Sequence, residues 1–307
     1  MRKNLAIFLS FTLLLLGSGC ALTRPATTVP LREKSTIKVV ATIPPLADIT
    51  RQIGGNLVEI TTLLPPGSSP HSFEPVPEQV KSLAQADLLI QIGAGLDDWA
   101  GRLSQDDKKI KRIILTQGLR LLEEKVGTYG HAENPHIWLD PVIVRDHIAP
   151  EIKKALAELA PPEETYFEAN LNKFQMELTQ LDNDIKRSLS RAKQKNFIAF
   201  HPAWSYFAAR YGLKEVGVIQ EVPEQEPAPR QLANLIALAK TANNPPILLE
   251  PQFNPKIGQL LAAEYEGRVF TLDPLGAPDT DYLELMRSNL TIWEKALEIE
   301  PETGGKK

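Results

Sequence analysis

The chain has 307 residues, 43% apolar and 23% charged, with a formal net charge of −4. That length suits about two domains, and the composition is that of an ordinary globular protein rather than a disordered chain or a long repeat. The acidic balance argues against a nucleic-acid partner, which calls for a basic surface. The single cysteine excludes an internal disulfide.

Residues 1–19 read as a secretory signal: Arg2 and Lys3, the apolar run "LAIFLSFTLLLL", then "GSGC". The run is too short for a stable spanning helix, which takes about 20 residues. "LGSGC" resembles the lipobox of bacterial lipoproteins, with Gly17 where leucine is usual. The resemblance implies a lipid on Cys20 and anchoring outside the cytoplasm, on the periplasmic side if the envelope has an outer membrane; the plain alternative is a free thiol. Residues 20–36 form a polar, Pro/Thr-rich tether. Cleavage before Cys20 removes two positive charges and takes the net charge to −6, so the membrane is reached by lipid and not by a polybasic patch.

From residue 37 short apolar strands alternate with helices. "IKVVATI" (37–43), "VEITTLL" (58–64), "DLLIQIG" (87–93) and "KRIILT" (111–116) read as strands, and "PEQVKSLAQA" (77–86) as a helix. Asp140-Pro141 reads as an N-cap followed by Pro at the first helical position, opening a helix to about residue 159. After "PPEE" (161–164), Phe167, Leu171, Phe174, Leu178, Leu181, Ile185 and Leu189 recur in steps of three and four. That spacing predicts one long amphipathic helix; about 30 residues would reach about 45 Å, enough to run along two lobes. The alternation then resumes with strands at 196–200, 215–219, 246–250 and 268–272, and a last helix from about 280 to 297.

The predicted fold class is therefore α/β: two parallel-sheet lobes joined by one long helix. The expected organisation is a signal (1–19), anchor and tether (20–36), N-terminal lobe (37–160), bridging helix (161–194), C-terminal lobe (195–300) and tail (301–307).

In such sheets ligands bind beyond the carboxyl ends of the strands. Four chemically capable residues stand there: His71 in "PPGSSPHSFEP", His136 in "NPHIWLDP", His201 after "NFIAF" and Asp273 after "RVFTL". Three imidazoles and one carboxylate suit a borderline divalent cation, zinc before others. Each also has a plain structural reading: His71 as a turn residue, His136 as a loop-orienting residue, His201 as a helix-start residue, Asp273 as an Asx-type turn. Glu226 and Glu250 are candidates for a further ligand or an outer hydrogen-bond acceptor. His131 reads as a solvent-facing loop neighbour of the site, and His147 as surface or packing. His131 and His136 are not a metalloprotease pair, because the spacing is wrong and Pro135 breaks any helix. No dinucleotide loop, P-loop or G-x-S-x-G pattern is present.

"LLPPGSSPHSFEP", "NPHIWLDP", "FIAFHPAWSYFAARYGL", "EPAPRQLANLI" and "FTLDPLG" together resemble the zinc/manganese solute-binding lipoproteins of bacterial ABC importers. The resemblance runs from "IKVVATIPPLADI" to the last helix. It implies metal ligation by His71, His136, His201 and Asp273, two α/β lobes bridged by a rigid helix, and delivery of the ion to a membrane permease. It makes the chain a monomeric carrier rather than an enzyme. Manganese members often carry a carboxylate where His201 stands, so three histidines favour zinc over manganese. Zinc members often carry a long His-rich loop; here the loop at 122–136 is short, which keeps manganese as the alternative ion. The competing class is a zinc hydrolase with Glu74 or Glu133 as general base, and a third is a surface adhesin. Deprotonated histidine ligands predict affinity falling steeply below about pH 6 if each ring keeps its ordinary pKa of about 6.5.

Overall fold

The computed structural model describes residues 36–103, 109–126, 130–221 and 225–300. The signal, Cys20, the tether up to residue 35 and the tail lie outside that range.

The first lobe contains β1 (Ile37–Ala41), α1 (Pro44–Gly54), β2 (Val58–Thr62), α2 (Pro77–Leu83), β3 (Leu88–Gln91), α3 (Asp98–Leu103) and β4 (Lys111–Ile114). A hairpin of β5 (Glu123–Val126) and β6 (Gly130–Glu133) follows, then α4 (Pro141–Ile143), α5 (Ala149–Leu159) and the long α6 (Glu164–Leu189). The second lobe contains β7 (Asn196–Ala199), α7 (Ser205–Tyr211), β8 (Lys214–Val218), α8 (Pro229–Thr241), β9 (Ile247–Leu249), α9 (Lys256–Ala263), β10 (Val269–Thr271) and α10 (Tyr282–Ala296). Each lobe holds a four-stranded parallel sheet, ordered β2-β1-β3-β4 and β10-β9-β7-β8. Apolar strands such as "LLIQ" of β3 are buried throughout, as expected of strands covered on both faces. The expected fold class and strand positions are borne out.

Helix α6 has 26 residues without Gly or Pro, about 39 Å at 1.5 Å per residue. The seven apolar residues picked out by spacing are all buried along it. They belong to one continuous core that also takes in Val39 and Ile90 of the first sheet and Phe197, Trp204 and Trp293 of the second lobe. Separate clusters cover the outer face of each sheet, around Leu63 and Leu89 in one lobe and Ile198 and Ile247 in the other. The lobes are therefore joined by shared packing as well as by the chain. Truncating a residue such as Leu178, fully buried on α6, would cost roughly 2–5 kcal/mol. No helix among the described residues is long and apolar enough to cross a membrane.

Two local features differ from the expectation. The segment read as a polar loop before His136 is an antiparallel hairpin, with His131 paired opposite Lys125 on β6. "GHAE" and "EEKV" offer no apolar alternation to read, so the pairing left no hydrophobic signal. The helix opened by Asp140 is not uniform either: Val144–Ile148 forms a π-helical turn. Pro150 sits just beyond it, lacks an N–H, and its ring would press on the carbonyl of Asp146 in a regular helix. Widening the preceding turn relieves that conflict.

Candidate metal centre

Each site histidine is set by the loop that leaves a strand. His71 follows β2 on a proline-rich loop in which Gly67 takes φ +73 and Ser69 Oγ accepts from the His71 N–H at 3.3 Å. Gln79 pins the loop to α2, donating to Leu63 O at 2.7 Å and accepting from the Val76 N–H at 2.8 Å. His136 lies beyond β4 and the hairpin. Pro135 precedes it, and Asn134 Oδ1 accepts from the His136 N–H at 2.8 Å, an Asx turn. His201 stands two residues past β7 and caps the short turn Pro202–Trp204. Asp140 caps α4 as expected, accepting from the Val142 N–H at 2.9 Å.

The loops bring three rings together. His71 Nε2 and His136 Nε2 lie 3.3 Å apart, and His201 Nε2 and His136 Nε2 lie 3.1 Å apart. The three histidines form a group whose ligand atoms all lie within 4.8 Å of one another. His136 and His201 are 3% and 2% exposed, so the rings are cut off from bulk water. Burial disfavours the imidazolium and holds the His71 pKa down to about 3, with repulsion from His201 adding to it. Burial, then the two neighbouring rings, also pushes His136 well below the usual histidine value. Neutral imidazoles converging through one nitrogen each are a donor set for a borderline divalent cation.

Around the triad, Trp138 lies tilted against His136 with centroids 5.1 Å apart, and Phe253 lies edge-on to His201 at 5.3 Å. The space they enclose is about 10 Å³, about what one water molecule needs. His201 Nδ1 lies 2.5 Å from Glu250 Oε1, just past β9, so Glu250 takes the place of an outer acceptor. Burial raises the Glu250 pKa and His201 opposes the rise; its Oε2 is buried without a hydrogen-bond partner.

Asp273 follows β10 at the expected strand end but is not in the three-ring group. Its Oδ1 accepts from the Leu275 and Gly276 N–H groups, both at 3.0 Å, and from Gln252 Nε2 at 3.2 Å. These are the bonds of the Asx-type turn also read for Asp273 from its sequence. Glu226, Glu74 and Glu133 are exposed, and none lines the small cavity. His147 packs as expected, with Nε2 donating to Leu115 O at 2.8 Å.

The centre is also where the lobes are laced together. Trp138 Nε1 donates to Pro274 O at 2.7 Å, and the Tyr282 hydroxyl donates to Trp138 O at 2.8 Å. Arg210 pairs with Asp140 at 2.8 Å, and the Tyr206 hydroxyl donates to Asn134 O at 2.9 Å. Asn134 and Gln252 were not singled out from sequence. The only signal for Asn134 was the dipeptide Asn-Pro before His136, which reads as a turn starter and nothing more.

The chain is similar to known proteins. The chain is 30% identical over 313 residues to the zinc-binding lipoprotein AdcA of Streptococcus pneumoniae (strain ATCC BAA-255 / R6), covering 94% of this chain but only 62% of that relative. It is 28% identical to the high-affinity zinc uptake system protein ZnuA of Bacillus subtilis (strain 168), over 85% of this chain and 88% of the relative. A crystal structure of ZnuA superposes with a TM-score of 0.77 at 34% identity, covering 85% of this chain and 99% of the other. Residues 39–296 match the family model ZnuA, zinc-uptake complex component A, periplasmic, and the chain belongs to that family.

Proposed function

We propose that the protein captures a divalent metal ion outside the cytoplasm, zinc before manganese, and hands it to an ABC-type permease. The observation that carries this reading is the convergence of three Nε2 atoms, on two buried rings and one half-buried ring, 3.1 and 3.3 Å from one another through His136. His71, His136 and His201 hold the ion through Nε2. Asp273 completes the set through the oxygen not engaged by Leu275 and Gly276, after a small movement of its loop. A third imidazole at His201, rather than a carboxylate, favours zinc, and the zinc named for the AdcA and ZnuA relatives points the same way.

Capture rather than catalysis is supported by the size of the cavity. Space of about 10 Å³ between the rings suits one ion. The candidate general bases Glu74 and Glu133 are exposed and away from it. A core continuous through α6 supports small lobe shifts on release rather than a wide hinge. We assign the N-terminal lobe to 37–160, the bridging segment to 161–194 and the C-terminal lobe to 195–300. The carrier works as a monomer, tethered by a lipid on Cys20.

The test is elemental analysis of protein purified without added metal, followed by competition between zinc and manganese. One zinc per chain that excess manganese does not displace is the expected result. No zinc uptake by the wild-type protein sinks the metal-site reading, and preferential retention of manganese overturns the choice of ion.

A further inference from the structure

Asn134 is not a candidate ligand, yet each of its polar groups is engaged. It is 1% exposed. Its backbone N–H donates to Leu122 O at 2.8 Å, and its carbonyl accepts from the Tyr206 hydroxyl at 2.9 Å. Its side-chain Nδ2 donates to Pro202 O at 2.7 Å. Its Oδ1 accepts from the His136 N–H at 2.8 Å and faces His136 Nδ1 at 2.9 Å.

Two of these contacts fix which end of the amide is which. A carbonyl such as Pro202 O only accepts, so the NH₂ group must face it; a backbone N–H only donates, so the amide oxygen must face His136. The oxygen held there also meets Nδ1, which must therefore carry the ring proton. A neutral imidazole has one N–H, so Nε2 is left with its lone pair. That is the atom lying 3.3 and 3.1 Å from its counterparts on His71 and His201. An amide oxygen cannot donate, so Asn134 permits this one tautomer. The partner of its other end, Pro202 O, belongs to the residue directly after His201. One side chain thus sets a first-lobe ring and ties it to a second-lobe ring's own loop.

We propose that Asn134 is the positioning residue of the centre: it holds His136 in the Nδ1–H tautomer before the ion arrives and locks that ring to the His201 loop. The inference rests on the three rings being a metal site and adds what presets them. Groups that orient a metal-binding imidazole through its other nitrogen typically contribute 10–100-fold in affinity.

The experiment compares the wild-type protein with Asn134→Ala, Asn134→Asp and Tyr206→Phe. Imidazole tautomers are read in the metal-free proteins by long-range ¹H–¹⁵N correlation at mildly alkaline pH, and zinc affinity by chelator competition. Wild-type His136 is expected as the Nδ1–H form. Asn134→Ala should populate both tautomers and bind zinc about 10–100-fold more weakly. Asn134→Asp keeps an acceptor against Nδ1, so the tautomer should be retained even though the bond to Pro202 O is lost. It also covers the case in which the alanine variant does not fold. Tyr206→Phe removes a tie to the Asn134 backbone but not to His136, so it should lower the melting temperature and leave tautomer and affinity unchanged. A wild-type His136 protonated on Nε2 overturns the proposal. So does a folded Asn134→Ala protein with wild-type tautomer and affinity, or a Tyr206→Phe protein that loses as much affinity as Asn134→Ala. Failure of the wild-type protein to bind zinc would instead remove the site reading itself.

Discussion

Replacing Asp273 separates the two jobs its carboxylate can do. Oδ1 accepts three hydrogen bonds, from Leu275 N, Gly276 N and Gln252 Nε2. Asp273→Asn keeps an acceptor oxygen in that place and removes only the charge. Asp273→Ala removes both. At about 1 kcal/mol net for each hydrogen bond, less what water restores to partly exposed groups, alanine should cost roughly 2 kcal/mol of stability. For a chain of this size that is a drop of about 3–4 °C in the melting temperature of the metal-free protein, while asparagine should lose little. Zinc affinity should behave otherwise. Removing one charged partner from a buried set typically costs 2–5 kcal/mol; Asp273 is half-buried, so about 2 kcal/mol, roughly 30-fold, is expected, and both variants should show it. Thermal melts without metal and chelator competition with zinc give the two readouts. An Asp273→Asn protein that binds zinc like the wild type would refute ligation by Asp273 and leave it as a loop cap. A His₃ hydrolase would keep zinc in both variants and lose only rate.

The buried rings make a second prediction about pH. Unfolded histidines take up protons as pH falls through about 6.5, whereas His71 in the fold resists protonation until about 3 and His136 resists well below its usual value. The unfolded state then binds more protons, so the metal-free protein should lose stability as pH falls from about 6.5, by up to about 1.4 kcal/mol per pH unit for each ring. Denaturant melts at pH 7.5 and pH 5 check this, and equal midpoints would refute it. The same burial alters the expectation for binding. Two rings titrating at 6.5 would weaken zinc binding on the order of a thousandfold between pH 7.5 and 5. Rings held neutral by burial should contribute far less, so a thousandfold fall in chelator competition would contradict the depressed values. Trp138→Phe keeps the ring beside His136 but loses the bond from Nε1 to Pro274 O at 2.7 Å. It should cost about 1 kcal/mol, a drop of about 2 °C by calorimetry. An unchanged melting temperature would show that this bond does not hold the lobes together.

Much of the architecture is a local property of the chain and was legible for that reason. The seven apolar positions from Phe167 to Leu189 repeat with the period of a helix, and each is buried on α6. "IKVVA" and "LLIQ" read as covered strands and are neighbours, β1 beside β3, in one parallel sheet. Because ligands in such sheets gather beyond strand C-termini, strand positions were enough to nominate His71, His136 and His201 from both lobes. The β5–β6 hairpin was missed because "EEKV" and "GHAE" carry no apolar alternation to read. The π-helical turn was missed because it answers a proline conflict that hydrophobic periodicity does not register.

The sequence by itself determined which side chains could bind a metal and on which loops they ride, since residue type and strand periodicity are written locally. Only the tertiary structure decided which atoms meet and what surrounds them. It turned Nε2 of all three rings inward, set Glu250 behind His201, and spent one oxygen of Asp273 on its own turn. It also placed Asn134 between His136 and Pro202, residues 68 positions from one another across the two lobes in the case of Asn134 and Pro202. Such pairings depend on how two sheets pack against one shared helix, and no local pattern in the chain encodes that distance.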